Sequence, residues 1–426
     1  MTMDVLLNEY LSRTRGSYSH GYFYIFLTGD FDTNLSHLSI HDQGLFFHEY
    51  VHFLQNITTL WGIKTGMIYN DILCDLFTAT RNASEIHIPF DLQLEPKTQQ
   101  DLDFLNQAKG SVGNEPSHPY KNWMIDTDKP ISERVEIDNN SNYPCTLRKV
   151  FLDVTFQDGR NETIQLGSTI VVESMATLSQ SYIDPDAEHD DVPYNVVQIL
   201  ANQKYPHIAG DKKKLICLCY IALFSLDPGW CLLDMMRYAE YRSEKSAVEI
   251  FDYFVAERKA FVHGSPVDIP SFFDFMIDGY IKSIEGLISI KTDYLKNILN
   301  GVRLSDKNAP LISILEDTGP IRIEQVQQLV DYLAIPFVYA KDGYTFVPTT
   351  ENSPQGSSDV AILVSFFKMF EFLMNPRYGL ETICPFVSMC PGNRDHCYSD
   401  PWNEVGCFAE IVMKKIGLFG KQVIIN

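Results

Sequence analysis

The chain has 426 residues, 45% hydrophobic, 21% charged and 12% aromatic. This composition excludes a disordered polymer and can fill two or three domains, or one large irregular one. The formal net charge of −21 repels phosphate backbones, so nucleic acid is not an expected partner. No apolar, uncharged run reaches the roughly 18 residues a membrane span needs. The opening "MTMDVLLNEYLSRTRG" lacks the basic-then-apolar pattern of an export signal. Nine cysteines, an odd number, fit a reducing cytoplasm with free thiols, so a cytoplasmic location is expected.

In chain order, "HGYFYIFLTGD" (His20 to Asp30) reads as a strand, and "DFDTNLSHL" as a loop. Ser39 opens a capping box with Asp42, and a helical pattern runs from Ile40 to about Leu60. Phe47, Val51 and Leu54 form one stripe of it; His48, His52, Gln55 and Thr59 form the next. Residues from about Leu92 to Pro144 are polar and loop-rich, suited to a lid or a substrate-gating insertion. "RKVFLDVTF" and "ETIQLG" flank the turn "QDGRN" as a hairpin. A helix follows from Ser168 to Tyr182.

Helical patterns dominate the remainder: Val192 to Gln203, Lys212 to Phe224, Trp230 to Arg242, Ala247 to Phe261, Phe272 to Leu299 and Ile323 to Leu333. "DKKKL" at Asp211 to Leu215 reads as a solvated helix start. "FVYAKDGYTFVPT" is a second hairpin, "ENSPQGSSD" a linker, and two last helices are expected near Val360 to Met374 and Asn403 to Ile416. The fold expected is α+β and predominantly helical. A small β-sheet packs on the histidine-bearing helix in residues 1–190, a helical region spans 191–335, and a hairpin, helices and a Cys-rich segment fill 336–426.

Within the Ile40 helix stands "FFHEYVHFLQ", Phe46 to Gln55. His48 and His52 are four apart and so share one helix face, with Glu49 one step round. This is H-E-x-x-H: two imidazoles for a zinc ion and a carboxylate beside the water that zinc would activate. Zinc needs a third protein ligand. A carboxylate isolated in an apolar helix is the signal to look for, because an unpaired buried charge is costly. Glu173 in "IVVESMATL" meets it: nothing basic lies within a turn, Ala176 on its face permits close approach, and Gln180 is in reach as a supporting partner. Asp234 (with Arg237 one turn on), Glu371 and Glu410 are rivals, and His189 would give a three-histidine site.

"HEYVH" followed by a helical Glu-x-x-Ala resembles the gluzincin-type zinc metallopeptidases, some of which carry Glu-x-x-Ala-Asp. The likeness covers two short helices and departs at Thr177, where that motif has Asp. The metzincin alternative, a His six residues beyond the motif, is absent: Thr58 stands there. The resemblance implies a zincin-type active-site helix, Zn2+ held by His48, His52 and Glu173, and Glu49 as general base. It also implies zinc-activated water attacking a peptide carbonyl, and a His or Tyr donor for the oxyanion, for which Tyr182, His189 and His207 are candidates.

A second cluster, Cys384, Cys390, His396, Cys397 and Cys407, is dense enough for a structural zinc, but its spacing matches no C-x2-C pattern, and buried free thiols are the plainer reading. Cys217 and Cys219 read as helix core. The leading expectation is a selective cytosolic metallopeptidase acting on a protein or peptide, with a regulatory protein as a second partner. The alternatives are a zincin-scaffold binding protein with a structural metal, and a hydrolase of non-peptide amides.

Overall fold

The computed structural model describes residues 16–110, 123–138, 146–262, 264–288, 292–306, 309–317, 319–343, 345–346, 348, 357–374 and 408–425. Among these, 58% of residues are helical, in 15 helices set among small separate sheets. The chain is therefore an α+β protein dominated by helices, as its spacing patterns predict.

The first strand is shorter than expected. Strand β1 (Gly16–Ser19) and strand β2 (Tyr24–Leu27) form an antiparallel hairpin with Gly16 opposite Leu27. His20 falls in the turn, because Gly21 and Phe23 take positive φ values of 79° and 54° and so break the extended run. Helix α1 (Ile40–Thr58) begins as expected, with the Ser39 hydroxyl accepting from the Asp42 N–H. Every residue of α1 from Gly44 to Thr58 is buried. The helix thus runs through the middle of the molecule, which is why its sequence is apolar nearly all round. Thr59 ends α1 and caps helix α2 (Leu60–Asn82) through Gly62 N–H. Asn56 Oδ1 accepts from both the Tyr18 hydroxyl and the Gly21 N–H, each at 2.8 Å, and so fixes the β1–β2 hairpin to α1.

The Leu92–Pro144 stretch holds more regular structure than its polarity suggests. After strand β3 (Glu85–Ile88), helix α3 (Pro96–Lys109) buries Leu102, Phe104 and Leu105. Strand β4 (Ser132–Asp138) then pairs with β5 (Leu147–Thr155), which pairs with β6 (Asn161–Leu166). The expected hairpin is therefore two strands of a three-stranded sheet. Helix α4 (Ser168–Gln180) follows, capped by Gly167 rather than by a hydroxyl.

Later segments divide more finely than their periodicity implies. Asp191–Tyr194 and Val196–Lys204 are separate helices. The Ala247 helix ends at Glu257, and Lys259–Val262 pairs with Ser265–Asp268 as a hairpin. The Phe272–Leu299 pattern splits into Ile269–Ile288 and Asp293–Gly301. A short apolar run such as "KAFV" does not tell strand from helix by period. "DKKKL" does start a helix, Lys212–Ala222, but two of its lysines are buried. Lys213 Nζ donates to the Asp317 carbonyl at 2.7 Å and Lys214 Nζ to that of Ser243 at 2.6 Å. Their alkyl stems line the core while the ammonium groups satisfy carbonyls.

One hydrophobic core runs through the three expected regions. Phe337–Tyr339 lies parallel to β2, giving a four-stranded sheet with β1 at one edge. Gln422–Ile425 pairs in parallel with β3. No helix of the described residues is long and apolar enough to cross a membrane.

Candidate metal centre

The α-helical period places His48 and His52 one turn apart on the same face of α1. Helix α4 crosses that face. Ala176 is fully buried there and lets the two backbones approach. Glu173, one turn before it, reaches both imidazoles: its Oε2 lies 3.5 Å from His48 Nε2 and 3.4 Å from His52 Nε2. The three ligand atoms all lie within 4.8 Å of one another, and this His48–His52–Glu173 group can hold a metal ion. It is the one such group found among the described residues.

The rest of each side chain is tied back. His48 Nδ1 is 2.9 Å from Gln180 Oε1, and His52 Nδ1 is 2.9 Å from Gln55 Oε1. Gln55 Nε2 in turn donates to the Val172 carbonyl at 3.0 Å, linking α1 to α4. Beyond Gln180, His41 Nδ1 meets Asp184 Oδ2 at 2.9 Å and holds the chain leaving α4 against α1.

The centre is buried, with His48, Glu49 and His52 exposed by only 6%, 4% and 5%, so its charges interact strongly. Burial opposes ionisation of Glu173, but the His52 charge and hydrogen bonds from both histidines prevail and hold its carboxyl well below the usual range. Burial likewise opposes charging of His52, yet the attraction of Glu173, its hydrogen bond, and the nearby Glu49 lift the imidazole to about 9. A buried carboxylate with two Nε2 atoms turned to it suits a divalent cation. These donor types fit zinc.

Glu49 behaves differently. Burial pushes its carboxyl up, outweighing the opposing pull of His48 and His52. Its Oε2 has no hydrogen-bond partner among the described residues. Strand β1 lies directly against it: a Cβ added at Gly16 would come within 2.7 Å of Glu49 Oε1. Glycine at this position makes room for the carboxylate.

The remaining candidates are placed as follows. Asp234 pairs with Arg258 at 2.6 Å, not with Arg237, which reaches Glu133 at 3.1 Å. Glu371 is bridged by Lys368 at 2.9 Å. The Glu410 side chain and the cluster of Cys384, Cys390, His396, Cys397 and Cys407 lie outside the described residues. Cys74, Cys217, Cys219 and Cys231 are free thiols. Burial pushes the Cys217 and Cys219 thiols up, as suits core side chains. His189 stands at the site but not in the ligand group. Its ring stacks on that of His48 with centroids 5.7 Å apart, and its Nε2 is 2.9 Å from Gln180 Oε1. Tyr182 lies half-buried near Lys212, and the exposed His207 pairs with Glu240.

Two residues at the centre escape a reading by spacing. His20 packs edge-on against His52 with ring centroids 6.0 Å apart. Burial, then the charge of His52, push its pKa down to about 3, so it is neutral. Tyr194 lies beside His189, with ring centroids 4.9 Å apart. Neither belongs to a motif. The weak signal for His20 is a histidine opening the aromatic stretch that precedes the motif helix.

The chain matches no family model, no curated protein and no solved structure. The resemblance to gluzincin-type peptidases therefore rests on the motif and on the geometry of this centre.

Proposed function

We propose that this protein is a zinc-dependent metallopeptidase of zincin type, with His48, His52 and Glu173 as ligands and Glu49 as general base. The observation that carries the reading is the pairing of a two-histidine, one-carboxylate group with a second buried carboxylate beside it that has an unpartnered oxygen. A side chain required only for packing would not leave a buried carboxylate oxygen unsatisfied, because that costs of order 1–3 kcal/mol or more. A zinc ion in such a group supplies Lewis acidity toward water and a carbonyl oxygen.

The chain's own groups supply the rest. Glu49 takes a proton from the attacking water and returns it to the leaving amine. His20 makes no hydrogen bond among the described residues, is neutral, and packs edge-on against His52. It is assigned here as a donor to the carbonyl oxygen as negative charge develops there. Strand β1 has one strand neighbour, β2, among the described residues. Gly16 of this strand packs on Glu49, and a strand edge so near the base is a place where an extended peptide can add, which supports a peptide rather than a small amide as substrate. The depth of the centre supports selective action, since substrate must reach side chains that are nearly covered.

A second reading, a binding protein on the same scaffold with a structural metal, is favoured by that same burial. The experiment that separates the two is metal analysis of the purified protein together with peptide-library cleavage, for the parent, His48→Ala and Glu49→Gln. Stoichiometric zinc lost in His48→Ala, with cleavage lost in Glu49→Gln, supports the peptidase. Stoichiometric zinc without cleavage by the parent supports the scaffold. Absence of zinc uptake by the parent refutes both.

A further inference from the structure

Each ligand histidine leans on a glutamine, and at Gln55 the hydrogen-bond chemistry fixes what that glutamine does. The Val172 carbonyl can only accept, so the Gln55 group 3.0 Å from it is the NH2, and Gln55 Oε1 is left facing His52 Nδ1 at 2.9 Å. An amide oxygen can only accept, so His52 carries its hydrogen on Nδ1. Its Nε2 is the atom turned to Glu173. At His48 the arrangement repeats from the other helix. Gln180 Oε1 stands 2.9 Å from His48 Nδ1 and also 2.9 Å from His189 Nε2, and its two lone pairs serve both rings.

We infer that Gln55 and Gln180 are the positioning residues of the metal centre, holding His52 and His48 as Nδ1–H tautomers through neutral amide oxygens. The inference rests on the reading of the triad as a metal site. A carboxylate in the same place would draw the Nδ1 hydrogen more strongly and make the imidazole a better donor. With two amides instead, the ligand set brings one formal negative charge, that of Glu173, to a divalent cation. The centre is therefore set for a metal that exchanges more readily than one backed by carboxylates. Thr177 fits this economy of charge: it stands where the resembling motif has Asp, and its buried hydroxyl has no partner among the described residues.

The test is zinc affinity of the full chain by chelator competition, for the parent, Gln55→Ala, Gln180→Ala and Gln180→Glu. The alanine variants should bind about 10- to 100-fold more weakly. Gln180→Glu should bind at least as tightly as the parent, which a merely structural role for the amide would not produce. Alanine variants that bind like the parent, or a Gln180→Glu as weak as Gln180→Ala, overturn the inference. The parent alone gives an independent readout should a variant misfold. In its zinc-loaded form, imidazole 15N resonances should show both ligand rings protonated at Nδ1 and coordinated at Nε2, and coordination through Nδ1 at either ring overturns the inference. No zinc uptake by the parent refutes the metal centre itself, whereas tight zinc with indifferent variants refutes only the role given to the glutamines.

Discussion

Glu49 and His52 are neighbours on one helix whose environments drive their titration in ways that can be measured. Glu49 must be ionised to accept a proton, and burial raises its pKa above the ordinary 4.5. In the metal-free protein the Glu49 carboxyl should therefore titrate above 4.5, and an NMR titration that places it at or below that value would contradict the burial described for it. Glu49→Gln should retain zinc and fold while cleavage drops by about 10²–10⁴-fold. Equal rates for variant and parent would remove Glu49 from the mechanism. His52 in the metal-free protein titrates at about 9, so at pH 7 it carries a proton that a metal must displace. Zinc titration calorimetry in buffers of different ionisation enthalpy should report about one proton released per zinc. The sign for stability follows from the same value. Because the folded-state pKa lies above the unfolded 6.5, the His52–Glu173 attraction stabilises the metal-free fold fully below pH 6.5 and is lost as pH rises through about 9. Its melting temperature should drop between pH 7 and 10, and the zinc-loaded form should not show this component.

At the scale of elements, the centre depends on three pieces meeting: β1, α1 and α4. The first two meet at Gly16, where a methyl group would fall 2.7 Å from Glu49 Oε1. Gly16→Ala must shift either the carboxylate or the strand. A displacement of about 1 Å can cost about 10²-fold in rate, while the three ligands are untouched. The expected outcome is normal zinc content with cleavage reduced by that order, and undiminished cleavage would show that β1 does not pack on the base as described. At the other end of the same helix, Ser39→Ala removes the hydroxyl that accepts from Asp42 N–H and should cost about 1 kcal/mol in chemical denaturation. The start of α1 was legible because capping chemistry is local. The β1–β2 hairpin was not, because positive φ at Phe23, a bulky residue, is imposed by its surroundings and has no composition signal.

At the scale of the molecule, the centre is held by residues far from it in sequence. The hydroxyl of Tyr50, inside the motif, donates to the Ala334 carbonyl at 3.0 Å. Strand β2 is flanked by Phe337–Tyr339, and the Tyr220 hydroxyl donates to the Thr58 carbonyl at 3.1 Å. A fragment of residues 1–190 would expose the apolar face of α1 and is expected not to unfold cooperatively or to bind zinc; a sharp calorimetric transition from that fragment would refute this. The same reasoning applies to the Leu92–Pro144 stretch. It contributes Leu102, Phe104, Leu105, Ile125 and Ile131 to the core, so its complete deletion should unfold the chain rather than uncover a site.

The sequence by itself determined the helix start at Ser39, the helix-dominated α+β class, and the pairing of His48 with His52, since each depends on local capping or on the 3.6-residue period. It also pointed to Glu173, because a lone acid in an apolar helix demands a partner wherever the chain goes. Only the tertiary structure decided that Glu173 Oε2 stands between the two Nε2 atoms, that Arg258 rather than Arg237 neutralises Asp234, and that Lys213 and Lys214 are buried on carbonyls. It alone brought His20 against His52 and turned the Gln55 and Gln180 amide oxygens to the two Nδ1 atoms. Those relations are set by how helices cross and which strands pair, and a linear pattern fixes the face an element presents but not the partner that will cover it.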